Sequence, residues 1–253
     1  MSATALVRLK RIALTALCSA TALGLTGCGT LGPDGKETRE AGSGPFADLS
    51  GPEVVNKSFR ATKEAKSLTL DIDMKSPDGP VKAYLAVNTK GDCAGTVSID
   101  SAGTTELIKT GNSVYMRFDE TMLRMQSKGD SKEETDAVLK ALLGKWVETE
   151  ADSEDARDMV EFCDLDTYLA GFEDNDNIAK KAGESKVNGA SALMLTERDG
   201  EEKYTAHVAV EGTPYLLKLQ VTGGKEPGSM TFSGFNKPVP ATKPARKDIA
   251  DVG

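Results

Sequence analysis

The chain has 253 residues, with 31 Lys and Arg against 39 Asp and Glu, a formal charge of −8. That balance excludes the basic phosphate-binding surface that a nucleic-acid partner requires. The length allows one domain with tails, and with only 5% aromatic residues its core must be built from Val, Leu, Ile, Met and Ala.

Residues 1–27 read as a secretory signal peptide. Arg8, Lys10 and Arg11 form a basic start, no acidic residue occurs before Cys28, and a mostly apolar run covers 12–25. The run is too short and interrupted to span a bilayer, which takes about 20 apolar residues. It ends in Leu25-Thr26-Gly27-Cys28, which resembles a bacterial lipobox. The resemblance implies cleavage before Cys28, diacylation of its thiol, and residence on the outer face of the cytoplasmic membrane. One acyl chain binds only marginally, whereas two hold without a protein span. Removing 1–27 takes Lys plus Arg to 28 and the formal charge to −11, so the body stands off an anionic membrane.

Residues 28–51 are rich in Gly, Pro and Ser and read as a flexible tether carrying Cys28. The domain proper is expected over 52–236. A first helix is predicted over 52–66, with Val54, Val55, Ser58, Phe59, Thr62 and Ala65 on one stripe. Strand patterns follow. Leu68, Leu70, Ile72 and Met74 alternate with polar residues, and beyond a Pro-Asp-Gly-Pro turn so do Val81, Ala83, Leu85 and Val87. Further strands are predicted over 94–100, with Val97 and Ile99 inward, over 104–109, and around Val114, Met116 and Phe118.

A capping-box pattern at Ser131–Glu134 opens a helix with Val138, Ala141 and Leu142 as its stripe. Another helical stretch covers 154–172, broken near Asp164, with Leu165, Tyr168, Leu169 and Phe172 at helical spacing. Strands resume at Ser185 and recur over 192–197, 204–211, 214–222 and 230–235. Leu195 and Val208 fall on inward positions, and Tyr215, Leu217, Leu219 and Val221 share a face. Residues 237–253 contain Pro238, Pro240 and Pro244 and suit an edge or an extended coil.

Strand runs separated from helix runs specify an α+β fold. The expectation is one curled antiparallel sheet of about 8–11 strands, an open half-barrel, with helices packed on its concave side.

Cys18 leaves with the signal and Cys28 is taken by lipid, leaving Cys93 and Cys163. In an oxidising compartment this pair favours a disulfide over two buried thiols, and without a Cys-x-x-Cys a redox pair fits poorly. The chain-entropy account gives such a closure about 4 kcal/mol. No catalytic constellation stands out. His207 is the sole histidine, and no Gly-x-Ser-x-Gly accompanies it. Asp164-Leu-Asp166 and Asp174-Asn-Asp176-Asn lack the Gly and distal Glu of a calcium loop, and one histidine leaves zinc short of ligands. No cofactor, metal site or enzyme activity is expected.

Several segments together resemble the LppX/LprAFG-type lipoproteins, relatives of the carriers LolA and LolB. They are Ser67-Leu-Thr-Leu-Asp-Ile, Gly111-Asn-Ser-Val-Tyr-Met, Gly144-Lys-Trp-Val, Val187-Asn-Gly-Ala-Ser-Ala-Leu, Gly212-Thr-Pro-Tyr-Leu-Leu-Lys-Leu and Met230-Thr-Phe-Ser-Gly-Phe-Asn-Lys-Pro-Val. The resemblance implies an unclosed barrel over helices, with an apolar cavity that takes acyl chains of lipids or lipoproteins in transit. Candidates to line it are Leu70, Ile72, Leu85, Val97, Met116, Phe118, Val138, Leu142, Leu165, Leu169, Phe172, Leu195, Val208 and Leu217. Met122, Met125, Met159 and Met194 add adaptable thioethers. The expected function is binding of a lipid or acyl chain for transport or sensing. The alternative is a non-catalytic module of the same fold, without a cavity, that contacts an envelope protein.

Overall fold

The computed structural model describes residues 44–76, 79–172 and 177–251. The signal, Cys28, most of the tether, the Pro77-Asp78 turn and the Asp174–Asp176 stretch lie outside the described residues.

Ser50 starts the first helix, α1 (Gly51–Lys63). Its side chain accepts from Glu53 N, and the Glu53 carboxylate accepts from Ser50 N at 2.7 Å, a reciprocal capping box. Gly51 is required by contact: a Cβ there would lie 2.0 Å from Ala179 O. The helix buries the stripe Val54, Val55, Ser58, Phe59 and Thr62.

An antiparallel meander follows: β1 (Ser67–Ser76), β2 (Gly79–Asn88), β3 (Cys93–Ile99), β4 (Gly103–Thr110) and β5 (Ser113–Phe118). Two helices come next, α2 (Glu120–Gln126) and α3 (Lys132–Leu142), and then β6 (Val147–Glu150). The helical stretch predicted over 154–172, broken near Asp164, is α4 (Arg157–Val160), a 3-10 turn (Glu161–Cys163) and α5 (Leu165–Leu169). The break falls at Asp164, whose carboxylate accepts from Asp166 N and Thr167 N and so caps α5 rather than continuing one helix. The second meander is β7 (Lys180–Val187), β8 (Ala190–Asp199), β9 (Glu202–Ala209), β10 (Leu216–Thr222) and β11 (Gly228–Ser233).

All eleven strands form one sheet in the order β6-β5-β4-β3-β2-β1-β11-β10-β9-β8-β7, antiparallel throughout. The sheet does not close, so the anticipated open half-barrel of the α+β class is the architecture seen. The first and last strands meet at its centre, and β6 and β7 are its two free rims. Register carries one apolar row across the inner face: Met116 opposite Leu107, Leu85 opposite Leu70, and Leu70 opposite Phe232. The row passes through Gly95, where a Cβ would lie 1.9 Å from Tyr84 O.

The tail from Lys237 runs over the outer face. Ser67 Oγ donates to Lys237 O, and Asn236 N donates to Ser67 O. At the far end Ile249 bridges Trp146 in parallel, with Trp146 N donating to Asp248 O and Ala250 N to Trp146 O at 2.8 Å each. Tyr115, Trp146 and Ile249 close into a small outer core, flanked by Arg117 stacked over the indole. The prolines therefore lie in an extended coil that reaches the β6 rim.

Candidate functional site

The inner face of the sheet is apolar because period-2 patterning turns one set of side chains inward on every central strand. Leu70, Ile72, Leu85, Val97, Met116, Leu195 and Val208 are all buried there, and Phe118 packs half-buried at the margin. Over this face lie α1 and the crossover from β6 to β7. The crossover has to traverse the whole sheet because it joins opposite rims. It contributes Ala156, Phe162, Cys163, Leu165, Leu169 and Phe172 to the same core.

Three candidates sit elsewhere. Leu217 belongs to a separate outer cluster with Val187, Ala192 and Ala209. A bulge in β10 is the reason: Leu216 pairs with Val208 while Lys218 pairs with His207, so Leu216 and Leu219 turn inward and Leu217 outward. Val138 and Leu142 are only half-buried, because α3 packs on α2 and buries no residue of its own. The α2 anchor is Leu123, fully buried, on a helix with no apolar signal beyond one turn.

Aromatic rings join the layers. Phe59 of α1 stacks on Phe172 at 4.7 Å between ring centroids, and Phe172 meets Phe232 of β11 edge-on at 5.7 Å. Neither Phe59 nor Phe232 was singled out as a lining residue, although Phe59 stood on the helical stripe and Phe232 alternates between Thr231 and Ser233. Two open hollows lie on the outer face. One, of about 210 Å³, is walled by Asp71, Lys82, Tyr84 and Ser98. The other, of about 340 Å³, lies beneath Lys237–Pro240 and over Ala86 and Ala94. The inward candidates pack against one another and against the cover as one core.

Attachment of the cover to the sheet is uneven. Cys163 is disulfide-bonded to Cys93 on β3, with 5.3 Å between Cα atoms. Ala151 N donates to Asn112 O beside β6, and Asn177 Nδ2 donates to Asn56 Oδ1 of α1. Segment 164–172 is tied back to the stapled half by Asp164 N, which donates to Glu161 O at 3.2 Å, and also carries local hydrogen bonds of its own. Asp164 caps α5 and also accepts from Thr167 Oγ1 at 2.6 Å, Tyr168 N donates to Asp164 O, and Phe172 N donates to Leu169 O. Burial, and then the nearby Asp164 carboxylate, raise the Tyr168 phenol above its ordinary value, so it stays neutral in the cover.

His207 points to the outer face, where its Nδ1 lies 2.8 Å from Ser185 Oγ. Partial burial, with Lys218 beside it, lowers its pKa from the usual value. Among the described residues no group of three His, Cys, Asp or Glu is placed to hold a metal ion. No helix among them is long and apolar enough to cross a membrane.

No family model matches the sequence, and no curated protein matches it. Solved structures do. LprF from Mycobacterium bovis superimposes with a TM-score of 0.53 at 15% identity, over 77% of this chain and 97% of that one. The lipoprotein LppX from Mycobacterium tuberculosis gives 0.48 at 14% identity, over 76% and 97%. The MucA/MucB complex of Pseudomonas aeruginosa gives 0.31 at 13% identity, over 78% and 59%. The first likeness establishes an LprF-type fold, as the sequence segments anticipated, and the two weaker ones carry no argument.

Proposed function

We propose, from the LprF-type fold and its apolar cover, that this protein is a membrane-tethered envelope lipoprotein that binds one hydrophobic ligand, a lipid or acyl chain, between sheet and cover. In this reading residues 1–27 are removed, Cys28 carries the lipid at the outer face of the cytoplasmic membrane, and the chain between Cys28 and the core residue Phe46 holds the body away from the headgroups. There is no covalent chemistry.

The observation that carries the reading is the segment 164–172. It meets the inner face through the buried Leu165, Leu169 and Phe172, while the hydrogen bonds described for it run to groups of the cover itself, Glu161, Asp164 and Leu169. Those contacts with the sheet are apolar, so an alkyl chain can take their place on the inner face. Re-exposing three such side chains costs roughly 1.5–3 kcal/mol each, or about 5–9 in all. An acyl chain entering from water recovers about 0.8 kcal/mol per methylene, so the exchange favours chains of roughly ten carbons or more. A chain taken from a bilayer gains little, which suits a carrier that must also release.

The core packing of the inward residues, with Phe59, Phe172 and Phe232 in mutual contact, favours a second reading, a non-catalytic interaction or sensory module of the same fold. One preparation separates the two. The full chain carrying Cys28→Ser is purified, extracted for lipid, weighed by native mass spectrometry and titrated with cis-parinaric acid. Copurified lipid or saturable parinarate binding supports the first reading. A protein of bare mass that ignores the probe overturns it in favour of the module.

A further inference from the structure

The crossover between β6 and β7 is clamped twice before it is halfway over the sheet. Ala151 N is bonded to Asn112 O at the β6 rim, at 2.9 Å, and Cys163 is bonded to Cys93 at the start of β3. Residues 151–163 are therefore fixed at both ends. Beyond Cys163 the chain passes over the centre of the sheet to Phe172, above Phe232 and against Phe59. There it packs on the sheet through Leu165, Leu169 and Phe172, and further along Asn177 donates to Asn56 of α1. The two halves are equally buried, with Ala156, Phe162 and Cys163 on one side and Leu165, Leu169 and Phe172 on the other. They differ in what opposes separation: a covalent staple for one, a surface that hydrocarbon can replace for the other.

We propose that the Cys93–Cys163 disulfide is a fulcrum that confines opening of the cover to residues 164–172. A hydrophobic ligand then enters beneath α5, along the Phe59–Phe172–Phe232 seam, and not from the β6 side. This rests on the lipid-binding reading for its ligand, whereas the one-sided opening belongs to the empty protein and is measured without any ligand.

Hydrogen exchange followed by mass spectrometry on the full Cys28→Ser chain tests it. Amides of 164–172 exchange about tenfold faster than those of 152–163 while the disulfide is intact, because they open as a separate local unit. Leu169→Ala speeds 164–172 further and leaves 152–163 unchanged. Removing the staple with the pair Cys93→Ala and Cys163→Ala brings 152–163 up to the rate of 164–172. Added cis-parinaric acid slows 164–172 and α1 only. Equal exchange in the two halves of the stapled protein overturns the fulcrum, even if parinarate binds. One-sided exchange with no protection by parinarate keeps the fulcrum and removes the entry path together with the lipid reading.

Discussion

Replacing Phe172 by alanine tests whether the cover is core or ornament. The ring is 4% exposed, stacked on Phe59 and edge-on to Phe232. Truncation of a buried phenylalanine costs about 3–5 kcal/mol, a figure that includes the hole left behind. Two aromatic contacts, each worth roughly 0.5–1.5 kcal/mol beyond burial, argue for the upper part of that range. A segment free to settle into the hole argues for the lower part. About 3–4 kcal/mol is therefore expected, which lowers Tm by roughly 10 °C in a domain of this size. Urea unfolding followed by circular dichroism should show an earlier midpoint with an unchanged slope. The hole is apolar and about the size of a benzene ring, so benzene or xenon should restore part of the loss in Phe172→Ala and do nothing to the parent. A loss below about 1 kcal/mol, with no rescue by benzene, would refute the packing described and the cover's part in ligand exchange.

Thr62→Val should cost about 1–3 kcal/mol, since it strands the buried Leu216 N–H that Thr62 Oγ1 accepts at 2.9 Å. Thr62→Ser should recover most of it in the same urea titration. Ile249→Ala uncovers Trp146, the only tryptophan, so its emission should shift to the red at a cost of about 2 kcal/mol. An unshifted spectrum would mean that the tail does not cover the ring. His207 has a folded pKa below its unfolded one, so folding favours the neutral imidazole. Its contribution is complete above about pH 6.5 and is lost as the pH falls through the lowered folded value. Stability measured from pH 7 to pH 5 should therefore decline less steeply in His207→Gln, and parallel curves would contradict this.

The central strands were legible because both signals agreed there. Leu70, Ile72, Leu85 and Val97 alternate cleanly and sit between turn residues, so pattern and burial coincide. The rims were less so. β7 is exposed along nearly its whole length, so Lys180 to Lys186 carries no apolar alternation to mark where the strand begins. β6 has four residues, and the bridge that Trp146 makes with Ile249 just before it joins positions a hundred apart, which no local pattern encodes. Leu217 misled because a bulge adds a residue without leaving a trace in hydrophobicity. Val138 and Leu142 misled because an amphipathic helix tells that it wants a partner and not which one: α3 leans on α2 instead of the sheet. Asp164 was read as a break and proved to be a cap. The aromatic trio was hidden for a simpler reason: it joins three elements far apart in the chain, and only the register of β11 against β1 brings Phe232 under Phe172.

Every strand pairing but one joins neighbours in the chain, and the exception is β1 with β11. Each meander can therefore assemble from local turns within itself, but the join between them waits for the last strand to be made. Until then the nascent chain presents the free edge of β1, with Leu68, Leu70 and Ile72 along it, to any other strand it meets. The hazard in making this protein thus lies at the middle of its finished sheet, and whatever escorts the emerging chain must shield that edge until Thr231 and Phe232 arrive.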